Sequence, residues 1–422
     1  MIYATPELSG HDETVLAEVH DMRRVLADVL RSPRRWTGGL RRTMLARAIL
    51  GSNSIEGYVV AEDDAAAALD GEEPLSADDR TFAEIRGYRQ ALGYVLQTAG
   101  DPHFRFETSV IRSMHYMMLS HDLGKSPGQY RKGPIYVHDE RTDERVYEGA
   151  DADHVPHLME ELTEDLRSDV TASPLVKAAM AHLNLVMIHP FRDGNGRMAR
   201  ALQTLVLSRR AIVEPAFSSI EEWLGSNTED YYRVLAVTGR GRWNPEGSAH
   251  LWVSFNLRAH HMQAQTVARR FDEASGIWSE LDAIVAEKRL PERVTDLLYE
   301  AVLGYRIRRS GYVKLADVED RTATRDLANL VEQGLLEARG ERRGRHYVAG
   351  PMLVVVRERV HAQRKPISDP IRPCRSFSRP RLPIRPAQVS GCNRGPCHRA
   401  VRPGGSAQRR FGGCRLRVAS GP

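Results

Sequence analysis

"HPFRDGNGRMAR", residues 189–200, places one histidine, one carboxylate, three arginines and two glycines in twelve positions. An apolar run, "LVKAAMAHLNLVMI" (residues 175–188), leads into it, and helix-forming sequence, "RMARALQTLVLSRRAI" (residues 197–212), follows. The pattern predicts two helices joined by a tight loop, with Ser173 capping the first and Pro174 in its opening turn. Gly194 and Gly196 let backbone N–H groups approach an anion closely, and the start of the second helix adds a favourable dipole. Arg197 and Arg200 are three apart, so both can reach one anion from the same side of that helix. Asp193 offers a hard oxygen ligand of the kind Mg²⁺ takes beside phosphates. His189, held by the stiff His-Pro step, is a base that titrates near neutral pH. Together these residues read as a base, a metal ligand, a phosphate nest and an arginine clamp, which suits a polyphosphate better than a lone carboxylate.

Two other readings fail on the same residues. A calcium loop starting at Asp193 needs a bidentate acid at its twelfth position, where Thr204 stands. A plain turn between helices needs neither the histidine nor the paired arginines. His182, seven residues before His189 on the same helical face, reads as a packed core residue.

Charge divides the chain. Arg364 to Pro422 carries fourteen Lys/Arg against one acid, a local net of +13; the whole chain carries +5, so the body carries −8. All four cysteines lie in that tail, so the body has no disulfide, thiolate nucleophile or cysteine zinc ligand. Within the tail, Cys392, Cys397 and His398 form no paired zinc motif. The first residues show no basic-then-apolar leader, and no apolar run nears the roughly eighteen residues of a membrane span, so a cytoplasmic protein without membrane contact is expected.

Five segments are expected. Residues 1–105 are mostly helical, with a break at Gly38-Gly39 and Ser76 capping the helix that follows. Residues 106–262 hold the central motif and a hairpin, "GPIYVHDERTDERVYEG". Residues 263–290 form a connecting helix. Residues 291–350 give three helices and a basic hairpin, and residues 364–422 are a disordered Arg/Pro-rich tail. That tail is either a basic arm for nucleic acid or the product of out-of-frame translation.

Residues 189–200 resemble the Fic family motif, His-x-Phe-x-(Asp/Glu)-Gly-Asn-Gly-Arg-x-x-Arg, with every fixed position present. The resemblance extends over roughly residues 1–262 and includes the hairpin after "GQYR" and the later "NTEDYYRVL". It implies a mainly α fold, a Fic-type helical core with a small β-hairpin flap. It further implies a protein adenylyltransferase that moves AMP from ATP to a Ser, Thr or Tyr hydroxyl of a protein and releases pyrophosphate. His189 would be the base, Asp193 would hold Mg²⁺, and Gly194, Asn195 and Gly196 would line the α/β-phosphate site. Phe191 would anchor the loop, while Arg197 and Arg200 would meet the β- and γ-phosphates. Tyr231 and Tyr232 would border the nucleotide base. A relative that transfers phosphate instead has lysine where this chain has Gly196, which favours nucleotidyl transfer here.

"SNSIEG", residues 52–57, matches the family's inhibitory motif in its class II placement, ahead of the core. By that resemblance Ser52, Glu56 and Gly57 form a lock in which Glu56 pairs bidentately with Arg200 at the γ-phosphate position. ATP must displace that pair to bind productively. The alternative is a plain helix end with Glu56 solvated and Gly57 as its cap. The hairpin either offers an edge to an extended target segment or is an ordinary surface hairpin.

Residues 291–350 resemble a winged helix-turn-helix, with Thr322 capping the recognition helix, Arg325 exposed, and Arg339 to Arg345 in the wing. DNA is a candidate partner through this unit, against a protein-docking role; Asp326 and Glu332 on the recognition helix count against DNA. Two rival functions stay open: a regulator whose Fic fold only senses nucleotide, and removal of AMP from a modified target with Glu56 positioning water. Self-association and modification of the chain itself also stay open.

Overall fold

The computed structural model describes residues 1–370 apart from 33, 140–141, 169–172, 211–212 and 342–343, together with the backbone of 416–420. It is mainly helical. Helix α1 (Gly10–Leu30) starts at Ser9, whose hydroxyl accepts from the Asp12 N–H while Asp12 bonds back to the Ser9 N–H. This reciprocal cap satisfies two donors that a helix start leaves unpaired.

Helix α2 (Thr37–Ile55) corrects the break expected at Gly38-Gly39. Both glycines lie in its first turn, and the chain breaks earlier, with turn residues at 31–32 and 35–36. First-turn N–H groups have no partner inside the helix, so glycine there costs less than at mid-helix. Helix α3 (Glu62–Leu69) precedes α4 (Asp79–Thr98), whose cap is Asp78, accepting from the Thr81 N–H at 2.9 Å. Ser76, expected in that role, instead donates its hydroxyl to Asp64.

The remaining core elements are α5 (Thr108–Leu119), the antiparallel strands β1 (Ile135–Asp139) and β2 (Arg145–Glu148), α6 (Val155–Arg167), α7 (Pro174–Ile188) and α8 (Asn195–Arg210). Short helices α9 (Pro215–Ser218) and α10 (Glu221–Ser226) lead to α11 (Thr228–Gly239). Ser173 caps α7 as expected, with Pro174 in its first turn. Helix α7 is buried on nearly every side, which explains a sequence that is apolar all round. Burying each of its leucines contributes about 1.5–3 kcal/mol relative to exposure.

Helix α12 (His250–Glu287) runs unbroken for 38 residues, so the segment boundary expected at 262/263 falls inside one helix. Its first half closes the core around α7, where Trp252 donates its indole N–H to the Ala179 carbonyl at 2.7 Å. Its second half builds another core with α2 and α3. That core also contains α13 (Thr295–Leu303), α14 (Arg309–Ala316), α15 (Asp320–Glu332) and α16 (Pro351–Ala362).

Strands β3 (Leu336–Arg339) and β4 (His346–Ala349) form the expected basic hairpin. Arg325 is exposed, as expected, but Thr322 lies inside α15, whose cap position is Glu319. Asp326 does not face solvent either: it is buried against Arg293 and the Tyr312 hydroxyl. Asp63 and Asp64 of α3 hold Arg306, tying the C-terminal unit to the segment that follows residues 52–57.

The tail expected to be disordered contains one described strand, β5 (Leu416–Ser420), which pairs antiparallel with β1 in the order β2-β1-β5. Residues 371–415 lie outside the described residues. No helix among the described residues is long and apolar enough to cross a membrane.

Candidate active site

Helix α7 ends at His189, which adopts a left-handed backbone (φ 54°, ψ 59°). A non-glycine residue holds that conformation when its surroundings dictate it. Here the His189 N–H bonds the Leu185 carbonyl at 3.0 Å, and the His189 carbonyl accepts from Arg131 Nε at 2.8 Å. Arg131 also bonds the carbonyls of Gly133, Ala150 and Ile188, so one guanidinium clamps the hairpin to the end of α7. His189 Nδ1 donates to the Val186 carbonyl at 3.0 Å, which leaves the lone pair on Nε2. Nε2 is buried without a hydrogen-bond partner among the described residues. Burial lowers the His189 pKa to about 4, so the ring is neutral at physiological pH and able to take a proton.

The loop after His189 is stapled from within. Asn195 accepts from the Phe191 N–H and donates to the Phe191 carbonyl, both at 2.8 Å. The Asn195 side chain therefore shapes the nest, although the residue also lines the cleft. Phe191 is fully buried and stacks on His115, ring centres 3.8 Å apart. His115 Nδ1 accepts from the Gly128 N–H, so its Nε2 donates to the Asp193 carbonyl at 3.0 Å. Gly194 has φ 75°, a conformation that favours glycine.

Helix α8 then presents Arg197 and Arg200 from its first turns, both buried. Arg200 Nη2 meets Glu56 Oε1 at 2.7 Å, while its Nε and Nη2 bond the hydroxyl and carbonyl of Ser52 at 2.8 and 2.9 Å. The pair is thus not the bidentate fork expected, because Ser52 takes the second edge of the guanidinium. Glu56 raises the Arg200 pKa further above its already high value despite burial. A side chain at Gly196 would begin 2.5 Å from Glu56 Oε1, so the carboxylate stands directly over the nest and the start of α8. Gly57 follows with φ 86° and ends α2's final turn.

Glu56, His189, Asp193, Gly194, Asn195 and Gly196 border a cleft that Val137, Tyr231 and Tyr232 also line, whereas Ser52, Arg197 and Arg200 are buried and are not among its lining residues. The buried Tyr231 hydroxyl lies 3.0 Å from His182 and 3.4 Å from Arg200, while Tyr232 donates to the Ile55 carbonyl. His182 is fully buried between Gln203 and Tyr231, a core residue as read from its helix. Asp193 lies beside Lys125, and neighbouring Arg197 and Lys125 hold its pKa below the usual range against the effect of burial.

Residues 105–207 match the Fic/DOC family. The chain carries a Fic domain. The match covers His115 and Arg131 as well as the loop. The chain is 27% identical over 248 residues to "Protein adenylyltransferase fic-1" of Caenorhabditis elegans, covering 57% of this chain and 45% of that protein. It is 28% identical over 171 residues to "Protein adenylyltransferase Fic" of Nematostella vectensis, covering 38% and 35%. The chain thus spans about half the length, or less, of these curated relatives. Among solved structures, a Fic family protein from Desulfovibrio desulfuricans G20 aligns with TM-score 0.52 at 23% identity, over 82% of this chain and 98% of that one, a likeness of fold.

Four residues that position the Fic loop were not singled out from the sequence: His115, Arg131, Glu84 and Lys125. Arg131 stood inside the quoted "GQYR" and His115 inside a helix of otherwise apolar pattern. Neither Glu84 nor Lys125 carries a local signal, because each finds its partners across the fold.

Proposed function

We propose that this chain transfers AMP from ATP to a Ser, Thr or Tyr hydroxyl of a protein, and that Glu56 holds the reaction back. The observation that carries the reading is the position of Glu56. An anion supplied by the chain stands where the nest, the start of α8 and Arg200 converge, which is the place for a nucleotide phosphate. ATP and Glu56 then compete for Arg200. With Glu56 displaced, Arg200 and the loop N–H groups hold the phosphates, and Arg197 adds charge beside them. His189 Nε2 accepts the proton of the target hydroxyl as its oxygen attacks the α-phosphorus, and pyrophosphate leaves. Tyr231 and Tyr232 form the wall toward the nucleotide base. A hydroxyl on an extended target segment would reach His189 alongside the hairpin, whose Val137 borders the cleft.

Mg²⁺ fits this site only as a shared ligand. Asp193 is ionised, yet the described residues contain no group of three or more His, Cys, Asp or Glu placed to hold a metal. Asp193 would therefore hold the ion together with nucleotide oxygens, where it would neutralise phosphate charge. We read the C-terminal unit as a winged-helix docking module, because it shares a core with α2 and α3.

The test is incorporation of label from ATP by the wild type, Glu56→Gly, and Glu56→Gly with His189→Ala. Labelling of Glu56→Gly alone supports the reading. Nucleotide binding without any covalent label, together with a specific DNA shift, would favour a nucleotide-sensing regulator instead.

A further inference from the structure

Glu84, on α4, is almost completely buried, yet it gathers three basic side chains and a phenol. Its Oε2 meets Arg197 at 2.5 Å, its Oε1 meets the Lys125 ammonium at 2.6 Å, and His121 lies 3.4 Å away. Tyr58, two residues beyond Glu56, donates its hydroxyl to Oε1 at 3.1 Å. The Lys125 ammonium is also 2.8 Å from Asp193 Oδ2, while Asp193 Oδ1 accepts the Gly194 N–H. Charges therefore alternate along a line: Asp193, Lys125, Glu84, Arg197. Lys125 is carried by a short turn that Asp122 caps and that ends in a left-handed Ser126, so the ammonium is presented by fixed backbone.

A pair that only tied α4 to this turn would need Glu84 and Lys125 and nothing more. The contact to Asp193 is different in kind. It occupies the carboxylate oxygen left over by the loop, on a residue that borders the nucleotide cleft. A divalent ion bound at roughly 2.1 Å and an ammonium at hydrogen-bond distance cannot share that oxygen without one of them moving. Glu84 retains the lysine if Asp193 gives it up, because that buried carboxylate keeps its own contact to the ammonium.

We propose that Lys125 is a nucleotide-positioning residue whose ammonium serves as the alternative to a divalent ion at Asp193. Without the ion, Lys125 neutralises Asp193 and admits the polyphosphate. With the ion, Lys125 withdraws to Glu84 and the metal takes over the charge balance. The proposal rests on the nucleotide-transfer reading and adds to it a residue outside the loop motif.

The experiment measures binding of a non-transferable α,β-methylene ATP analogue to the full chain by calorimetry, in Mg²⁺ and in EDTA. Glu56→Gly is the parent, and Lys125→Met, Lys125→Gln and Lys125→Arg are added to it. Losing one charge-assisted contact predicts about tenfold weaker binding for Lys125→Met and Lys125→Gln in EDTA. In Mg²⁺ the same changes should alter affinity less than about twofold, because the ion replaces the ammonium. Lys125→Arg should recover most of the affinity in EDTA. An equal loss in both media, or no loss in EDTA, overturns the proposal while leaving the transfer reading intact. Failure of the Glu56→Gly parent to bind the analogue in Mg²⁺ overturns both. Either neutral variant suffices, so misfolding of one, seen as a lost thermal transition, does not remove the test.

Discussion

The loop from His189 to Gly196 and the segment from Ser52 to Gly57 face each other across the cleft and are held in opposite ways. The loop's backbone is held by several buried side chains: Asn195 staples Phe191, His115 holds Asp193, and Arg131 pins the end of α7. In the facing segment Ser52 also holds Arg200, through its hydroxyl and carbonyl, but Glu56 itself is held there by one carboxylate contact and is about a quarter exposed. A loop with its polar groups satisfied internally stays in place whether or not nucleotide is present. A single charge contact at the cleft edge can be displaced. Under the proposed function, the difference separates a preformed catalytic half from a removable obstruction.

Substitutions can break that contrast, and the largest effect should come from the loop. His189→Ala in the Glu56→Gly background should cut the rate of AMP transfer by about 10²–10⁴-fold, the range for losing a positioned base. Steady-state labelling checks this, with an unchanged melting temperature showing that the fold survives. Glu56→Gly alone should raise labelling by about 10–100-fold, the worth of one charge-assisted contact that ATP no longer has to displace. Asn195→Ala should cost about 1–3 kcal/mol of stability, because it strips partners from the buried N–H and carbonyl of Phe191. Denaturant unfolding measures that loss, and Ser54→Ala in the facing segment should cost less.

A smaller effect concerns pH. His115 and His189 have pKa values lowered to about 4 and His182 to about 3, each mainly by burial. Such groups stay neutral in the folded state while the unfolded chain takes up protons near pH 6.5. Their contribution to stability is therefore present above about 6.5 and is lost as pH falls toward 4. Glu84, held at about 2 by Arg197 and Lys125 against the opposing effect of burial, adds a further loss between its usual pKa and 2. Melting temperature should fall through this acid range, and binding of the ATP analogue at pH 6 should remain close to that at pH 8.

The legibility of the molecule follows the range of its contacts. His189, Asp193, Gly194, Asn195, Gly196, Arg197 and Arg200 were readable because twelve consecutive residues carry them. Even so, the Asn195 side chain proved to hold the loop itself. Helices α5, α6 and α7 and both hairpins were visible in periodicity and turn chemistry. The start of α2 was not, since glycine in a first turn looks like a break when the tertiary partners are unknown. Ser52 could be placed in a motif, but its claim on the second edge of Arg200 depends on a contact across 148 residues. Glu84 and Lys125 lie 41 residues apart and neither belongs to a chemical motif, so only the fold pairs them and sets Lys125 beside Asp193.

The central claim is that His189 and the nest direct attack at the α-phosphorus once Glu56 is removed. The direct measurement incubates the Glu56→Gly protein and a target extract with Mg²⁺ and ATP carrying label at either the α- or the γ-phosphorus. The account predicts protein-bound label from the α position alone, lost with His189→Ala. Label transferred from the γ position, or equal α labelling of wild type and Glu56→Gly, would contradict it.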